Sequence, residues 1–168
     1  MSEELITFTV GIITSSDKGS AGQREDLSGA VIRELCEPYG GTINSYKILP
    51  DEREKLAGTM RFMADSLKVD VIFTTGGTGF SPRDITPEAT LDVAERMVPG
   101  IPEAMRARSL QITDRAMLTR GVACIRGKTL IINLPGSPKA VRECLEVVLP
   151  VLGHALGVLK NQVQDCAR

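Results

Sequence analysis

The chain has 168 residues, near the size of one domain, and such a chain buries roughly 70% of its unfolded surface. Hydrophobic residues make up 42% and charged residues 24%, which excludes a disordered chain, and 20 basic against 21 acidic residues give a net charge of −1. That balance, without a long single-sign run, excludes the basic stripe with which a protein grips nucleic acid.

The N-terminal run MSEELITFTV begins acidic and has no basic leader, and no apolar run reaches the 18 or so residues a membrane span needs. A cytoplasmic protein with no membrane partner is expected. Residues 6–14, ITFTVGIIT, are β-branched and almost continuously apolar, as a strand covered on both faces should be. The run ends in the polar cluster Ser15, Ser16, Asp17. Leu27, Val31, Ile32 and Leu35 then recur at helical spacing until Pro38 and Gly40-Gly41 stop the helix. Residues 42–49 read as a second strand closing at Pro50-Asp51, and Leu56, Met60, Met63 and Leu67 mark a second helix.

Residues 70–75, DVIFTT, form a third strand that runs into Gly76-Gly77-Thr78-Gly79. Thr86 is expected to cap a helix with Pro87 at its first position, extending to about Met97. Residues 122–125 and 129–134 flank Arg126-Gly127-Lys128 and suggest an antiparallel hairpin or the last strands of the sheet. Ser137-Pro138 repeats the cap-and-proline start, and Pro150 should kink or restart the helix that follows. Strands alternating with helices predict an α/β three-layer sandwich in one domain, a mostly parallel sheet with helices on both faces.

In such a fold ligands bind beyond the carboxyl ends of the strands. Ser15 to Asp17, Asp51, the loop from Gly76 to Asp84 and Pro135 to Ser137 each follow a predicted strand, so they are expected to share a crevice. Glycines before a helix N-terminus let backbone N–H groups approach phosphate. GGTG alone fits a tight turn equally well, and it is neither the Rossmann fingerprint nor a P-loop. Asp51 and Asp84 at neighbouring strand ends could together hold Mg²⁺, which carries nucleotide phosphates; singly, each could be a turn or cap residue. Arg83 could meet phosphate or be a solvated loop charge, Lys139 reads as a surface lysine, and Glu103 and Arg106 read as structural. Cys36, Cys124, Cys144 and Cys166 form no CxxC pair and His154 is the only histidine, which excludes the usual zinc patterns. His154 is expected on a helix in a structural role, and the cysteines are expected to be reduced.

Four runs, LPDE (49–52), TTGGTGFSPRDITPEAT (74–90), PGIPEAMR (99–106) and LPGSPKAV (134–141), resemble the molybdopterin adenylyltransferase family, in the family's order. The resemblance implies transfer of an adenylyl group from MgATP to molybdopterin, with pyrophosphate released. It implies catalytic and Mg²⁺-associated roles for the carboxylates of Asp51 and Asp84. Thr119 would stand near the substrate phosphate, where relatives carry serine. Ser15, Ser16, Asp17, Gly76, Gly77, Thr78, Gly79, Ser81, Pro135, Gly136 and Ser137 would line the pterin and nucleotide sites. It further implies a homotrimer, with a molybdate-insertase protein as a possible partner. Competing readings are a protein of this fold that binds molybdopterin without adenylyl transfer, a scaffold module as in gephyrin, and an insertase domain. The intact PRDITPEA and LPGSP runs and the chain length argue against these.

Overall fold

The computed structural model describes residues 6–162. Four strands, β1 (Phe8–Ser15), β2 (Gly41–Leu49), β3 (Val71–Thr75) and β6 (Thr129–Leu134), run parallel in the order β2-β1-β3-β6. β5 (Ala123–Arg126) returns antiparallel to β6 through the turn at Gly127, and the two-residue β4 (Arg96–Met97) closes that edge. The hairpin and the last strands of the sheet are therefore the same object.

A single turn, α1 (Asp17–Ser20), follows β1. Side chains that alternate along each strand feed two cores. Val10, Ile12, Phe73, Ile132 and Leu134 face one side, where Ile32 of α2 (Leu27–Cys36), Met105 of α5 (Gly100–Leu110) and Leu145 of α6 (Pro138–Leu159) cover them. Ile13, Ile72 and Ile131 face the other, under Leu56 and Met60 of α3 (Arg53–Arg61) and Ala89 and Val93 of α4 (Thr86–Val93). Gly11 permits a close contact in this second layer, since a β-carbon there would stand 2.7 Å from Met63 Sδ. The expected α/β sandwich is thus present, with helices on both faces of a mostly parallel sheet.

Several local expectations shift. α2 turns Ser28, Gly29, Ile32 and Cys36 inward and leaves Leu27 54% exposed, so the buried face is rotated from the apolar series read in the sequence. α3 passes into a π-helical turn, Phe62–Ser66, which buries Met63 but leaves Leu67 at the surface. α4 stops at Val93 rather than near Met97. Ala94 is already extended, and the Glu95 and Val98 amides donate to Ile125 and Ala123, so sheet pairing displaces the last helical turn. Thr86 does not cap α4: it is the first helical residue, Ile85 occupies the cap position, and no side chain bonds there. Ser137 does cap α6, accepting from the Ala140 amide. Pro150 neither interrupts nor restarts α6, which runs unbroken from Pro138 to Leu159. Its ring lies on the exposed side, while Val148, Leu149 and Leu152 keep the helix on the core.

Three thiols are buried and unbridged, and burial pushes Cys36 up to about 12 and Cys124 up to about 11, with Cys144 raised for the same reason. Cys166 lies outside the described residues, as do residues 1–5 of the acidic N-terminal run. His154 lies on the exposed side of α6 and lines neither cavity described below.

Candidate active site

Parallel register sets the ends of the central strands side by side: Ser15 opposite Leu49, Thr14 opposite Thr75, and Thr75 opposite Leu134. The loops leaving them meet around a cavity of about 680 Å³. Ser15, Ser16, Asp51, Gly76, Gly77, Asp84, Gly136 and Ser137 line it, as the strand-end rule led us to expect. Asp17, Thr78, Gly79 and Ser81 do not line it. Pro135 and Thr119 line a smaller recess of about 210 Å³, with Arg106 and Asn133. The 135–137 loop therefore contributes to both walls.

The glycines of the loop have separate physical reasons. Gly76 (φ 88°) and Gly77 (φ 69°) lie in the left-handed region, and a β-carbon on Gly76 would come within 2.5 Å of the Ser15 carbonyl. A β-carbon on Gly79 would stand 2.9 Å from Asp84 Oδ2. Bare backbone thus approaches both β1 and the carboxylate.

The two carboxylates differ. Each oxygen of Asp51 accepts one hydrogen bond from the protein, Oδ1 from the Ser15 hydroxyl (2.5 Å) and Oδ2 from the Asp17 amide (3.0 Å). Asp17 reciprocates by accepting from the Asp51 amide at 3.0 Å, and Arg83 forks onto both Asp17 oxygens at 2.8 and 3.0 Å. The Arg83 guanidinium holds the Asp17 carboxyl below its usual range. Arg83 is accordingly an exposed loop tie. Asp84 accepts only from the Ser81 amide, at 3.0 Å through Oδ2, and no protein donor reaches its Oδ1 among the described residues. Lys139 is a surface residue, its side chain 82% exposed.

Two site residues escaped the sequence reading. Arg120 donates to the Gly79 carbonyl (2.8 Å) and the Asp84 carbonyl (2.7 Å) and pairs with Glu88, pinning the Gly79–Asp84 loop to the start of α4. That pairing holds Glu88 below the usual carboxylate range. No local pattern marks Arg120, because its acceptors are backbone groups 36 and 41 residues away. Asp26 lines the cavity, caps α2 by accepting from the Gly29 amide (3.0 Å), and accepts from Thr14 (2.6 Å) and Tyr46. An Asp placed just before Leu27 is an ordinary cap signal and could have been found. Thr119 is tied locally, its hydroxyl accepting from the Gly121 amide at 3.3 Å, while Arg106 donates to the carbonyls of Gly121 (3.1 Å) and Thr119 (3.4 Å).

Could this arrangement hold Mg²⁺? Among the described residues no group of three or more acidic, histidine or cysteine ligands forms a cage. Mg²⁺ instead keeps several waters and takes one or two carboxylates plus phosphate oxygens. Asp84, with an oxygen free of protein donors, and Asp51 on the same cavity fit that requirement.

Residues 11–154 match the family described as the probable molybdopterin binding domain. The chain belongs to this family. It is 44% identical to the molybdopterin adenylyltransferase of Helicobacter pylori strain J99 over 163 residues, covering 94% of this chain and 92% of that one. It is 45% identical to gephyrin of Dictyostelium discoideum, covering 92% of this chain but 23% of gephyrin. The solved structure of the molybdopterin biosynthesis enzyme MoaB from Thermus thermophilus superposes with a TM-score of 0.86 at 49% identity, covering 92% of this chain and 98% of that one. As a member of the molybdopterin binding family, the chain carries its cavity at the strand ends of a fold shared over nearly its whole length.

Proposed function

We propose that this protein is a molybdopterin adenylyltransferase that transfers AMP from MgATP to molybdopterin, releasing pyrophosphate, within molybdenum-cofactor synthesis. The observation that carries the proposal is the convergence of Asp51, Asp84 and the Gly76-Gly77 turn on one cavity of about 680 Å³. An oxygen of the molybdopterin terminal phosphate attacks the α-phosphorus of ATP, a new P–O bond forms, and the α–β bridge breaks with its electron pair leaving on pyrophosphate. Mg²⁺, when bound, neutralises charge on the triphosphate. The chain's own work is positioning and charge placement. Asp84 and Asp51 supply the carboxylates for the ion, Gly76 and Gly77 admit phosphate oxygens to the backbone, and Ser15 and Ser137 add hydroxyls at the strand ends. Thr119 reaches the reaction from the adjoining recess.

The reading includes a homotrimer, supported by apolar side chains left in the open: Phe80 is 70% exposed and Met117 63% exposed. Sedimentation is expected at about three times the 18.1 kDa chain mass. It also includes a cytoplasmic location and hand-over of the adenylylated product to a molybdate-insertase protein. No helix among the described residues is long and apolar enough to cross a membrane.

The test is incubation of the purified protein with molybdopterin and MgATP. Adenylyl-molybdopterin and pyrophosphate should appear in equal amounts, and excess chelator should stop the reaction. Binding of molybdopterin with no pyrophosphate would leave a carrier of the same fold.

A further inference from the structure

Thr86 is wholly buried, and its hydroxyl is the one buried side-chain polar atom without a hydrogen-bond partner among the described residues. Native proteins rarely leave such a group unpaired, because it has lost water and gained nothing. Its neighbours follow the usual rule. Thr75 donates to the Pro135 carbonyl at 2.6 Å, and Thr74 and Thr90 each accept from the Asn133 side-chain amide at 2.9 Å. The Thr86 backbone is also satisfied, its N–H donating to the Gly77 carbonyl at 3.1 Å and its carbonyl accepting from Thr90 at 2.8 Å. Only the hydroxyl lacks a partner.

That hydroxyl lies directly against Gly77, where a β-carbon would overlap Thr86 Oγ1 and stand 3.3 Å from Ser15 Oγ. Two hydroxyls therefore flank the same bare α-carbon, and Gly77 and Ser15 both line the main cavity. Thr86 also opens α4, so the positive end of that helix points at this turn. Gly76 and Gly77 both hold positive φ, and glycine can leave such a conformation without meeting a side chain of its own.

We propose that Thr86 is a phosphate-binding residue concealed by the Gly76-Gly77 turn. On entry of a phosphate-bearing ligand the turn moves off Thr86, whose hydroxyl then donates to a phosphoryl oxygen. The proposal rests on the nucleotide reading above, which supplies the phosphate. It adds a donor that does not line the cavity in this structure, and it makes the glycine turn a moving part.

Thr86→Val and Thr86→Ser separate this from a packing role. Binding of MgATP, and separately of inorganic pyrophosphate with Mg²⁺, is measured by calorimetry, and thermal unfolding is measured without ligand. Thr86→Val removes the unpaired hydroxyl at nearly constant shape, so its unliganded Tm should equal or exceed that of the unmodified protein. Its affinity for both ligands should fall about ten- to a hundredfold, the worth of one charge-assisted hydrogen bond. Thr86→Ser should restore affinity, and amide exchange at Gly76 and Gly77 should change when ligand binds to the unmodified protein. Undiminished affinity in Thr86→Val would overturn the assignment while leaving the nucleotide reading intact. A lowered unliganded Tm would show that the hydroxyl is already satisfied and would also overturn it. If the unmodified protein binds neither ligand, both readings fall together.

Discussion

The loop after β2 and the loop after β3 both deliver a carboxylate to the same cavity, yet they are built on opposite principles. Around Asp51 the carboxylates satisfy the loops: the Ser15 hydroxyl, the Asp17 and Asp51 amides and Arg83 all donate to Asp51 or Asp17 in a reciprocal, partly buried knot. Around Asp84 the backbone is held from outside by Arg120, which takes the carbonyls of Gly79 and Asp84 and leaves one oxygen of the Asp84 side chain unclaimed. A carboxylate with one oxygen free of protein donors is the better ligand for an incoming ion, whereas one held at both oxygens is harder to replace. The two aspartates look equivalent in sequence, and their surroundings divide the labour between them.

The sharpest way to break the comparison is to remove each carboxylate. Asp84→Ala is expected to cost roughly 10²- to 10³-fold in adenylylation rate, about 3–4 kcal/mol, as removal of one preorganised electrostatic group does. Its cooperative unfolding should be almost unchanged. Asp51→Ala should lose rate on the same scale and additionally about 1 kcal/mol of stability, because the Ser15 hydroxyl and Asp17 amide lose their acceptor. Single-turnover rates paired with denaturant midpoints decide the matter, and identical stability losses in the two variants would erase the distinction.

Arg120→Met tests the external clamp. Two carbonyls and Glu88 lose their donor, and about 2 kcal/mol of stability should go with them. Amide protection should fall first in the loop from Gly79 to Asp84, while the loop at Ser15 to Asp17 keeps its own. Acid probes the same contact. The Glu88 pKa is depressed in the folded protein, so its contribution is present at neutral pH and is lost as pH falls through that lowered value. The smallest effect belongs to Arg83→Ala, since Arg83 and Asp17 are both exposed and solvent screens such a pair. Carboxyl NMR should show Asp17 titrating below its usual range in the unmodified protein and moving upward in the variant.

The legible parts of the molecule share a physical trait. β1, β3 and β6 are apolar almost throughout because both faces are covered, and the cavity follows because parallel strands end together. What stayed hidden depends on partners far along the chain. β4 exists only because the Glu95 and Val98 amides find β5, which lies beyond the whole of α5, and that pairing overrides a helical reading of residues 94–97. Arg120 acts on backbone carbonyls, which carry no sequence signature. Thr119, read as a hydroxyl near the substrate phosphate, lines the smaller recess rather than the main cavity, a distinction set by how α5 and β6 enclose it.

The three buried thiols carry one last consequence. A cysteine attacks electrophiles and disulfides as its thiolate, and burial keeps Cys36, Cys124 and Cys144 in the protonated form. None of them lines the larger cavity, and only Cys144 borders the smaller one. The wall of the main cavity is therefore made of hydroxyls, carboxylates and glycine backbone, with no described thiol on it. The same burial makes alkylation a clock for Cys36 and Cys124, which become reactive only when the core around them opens.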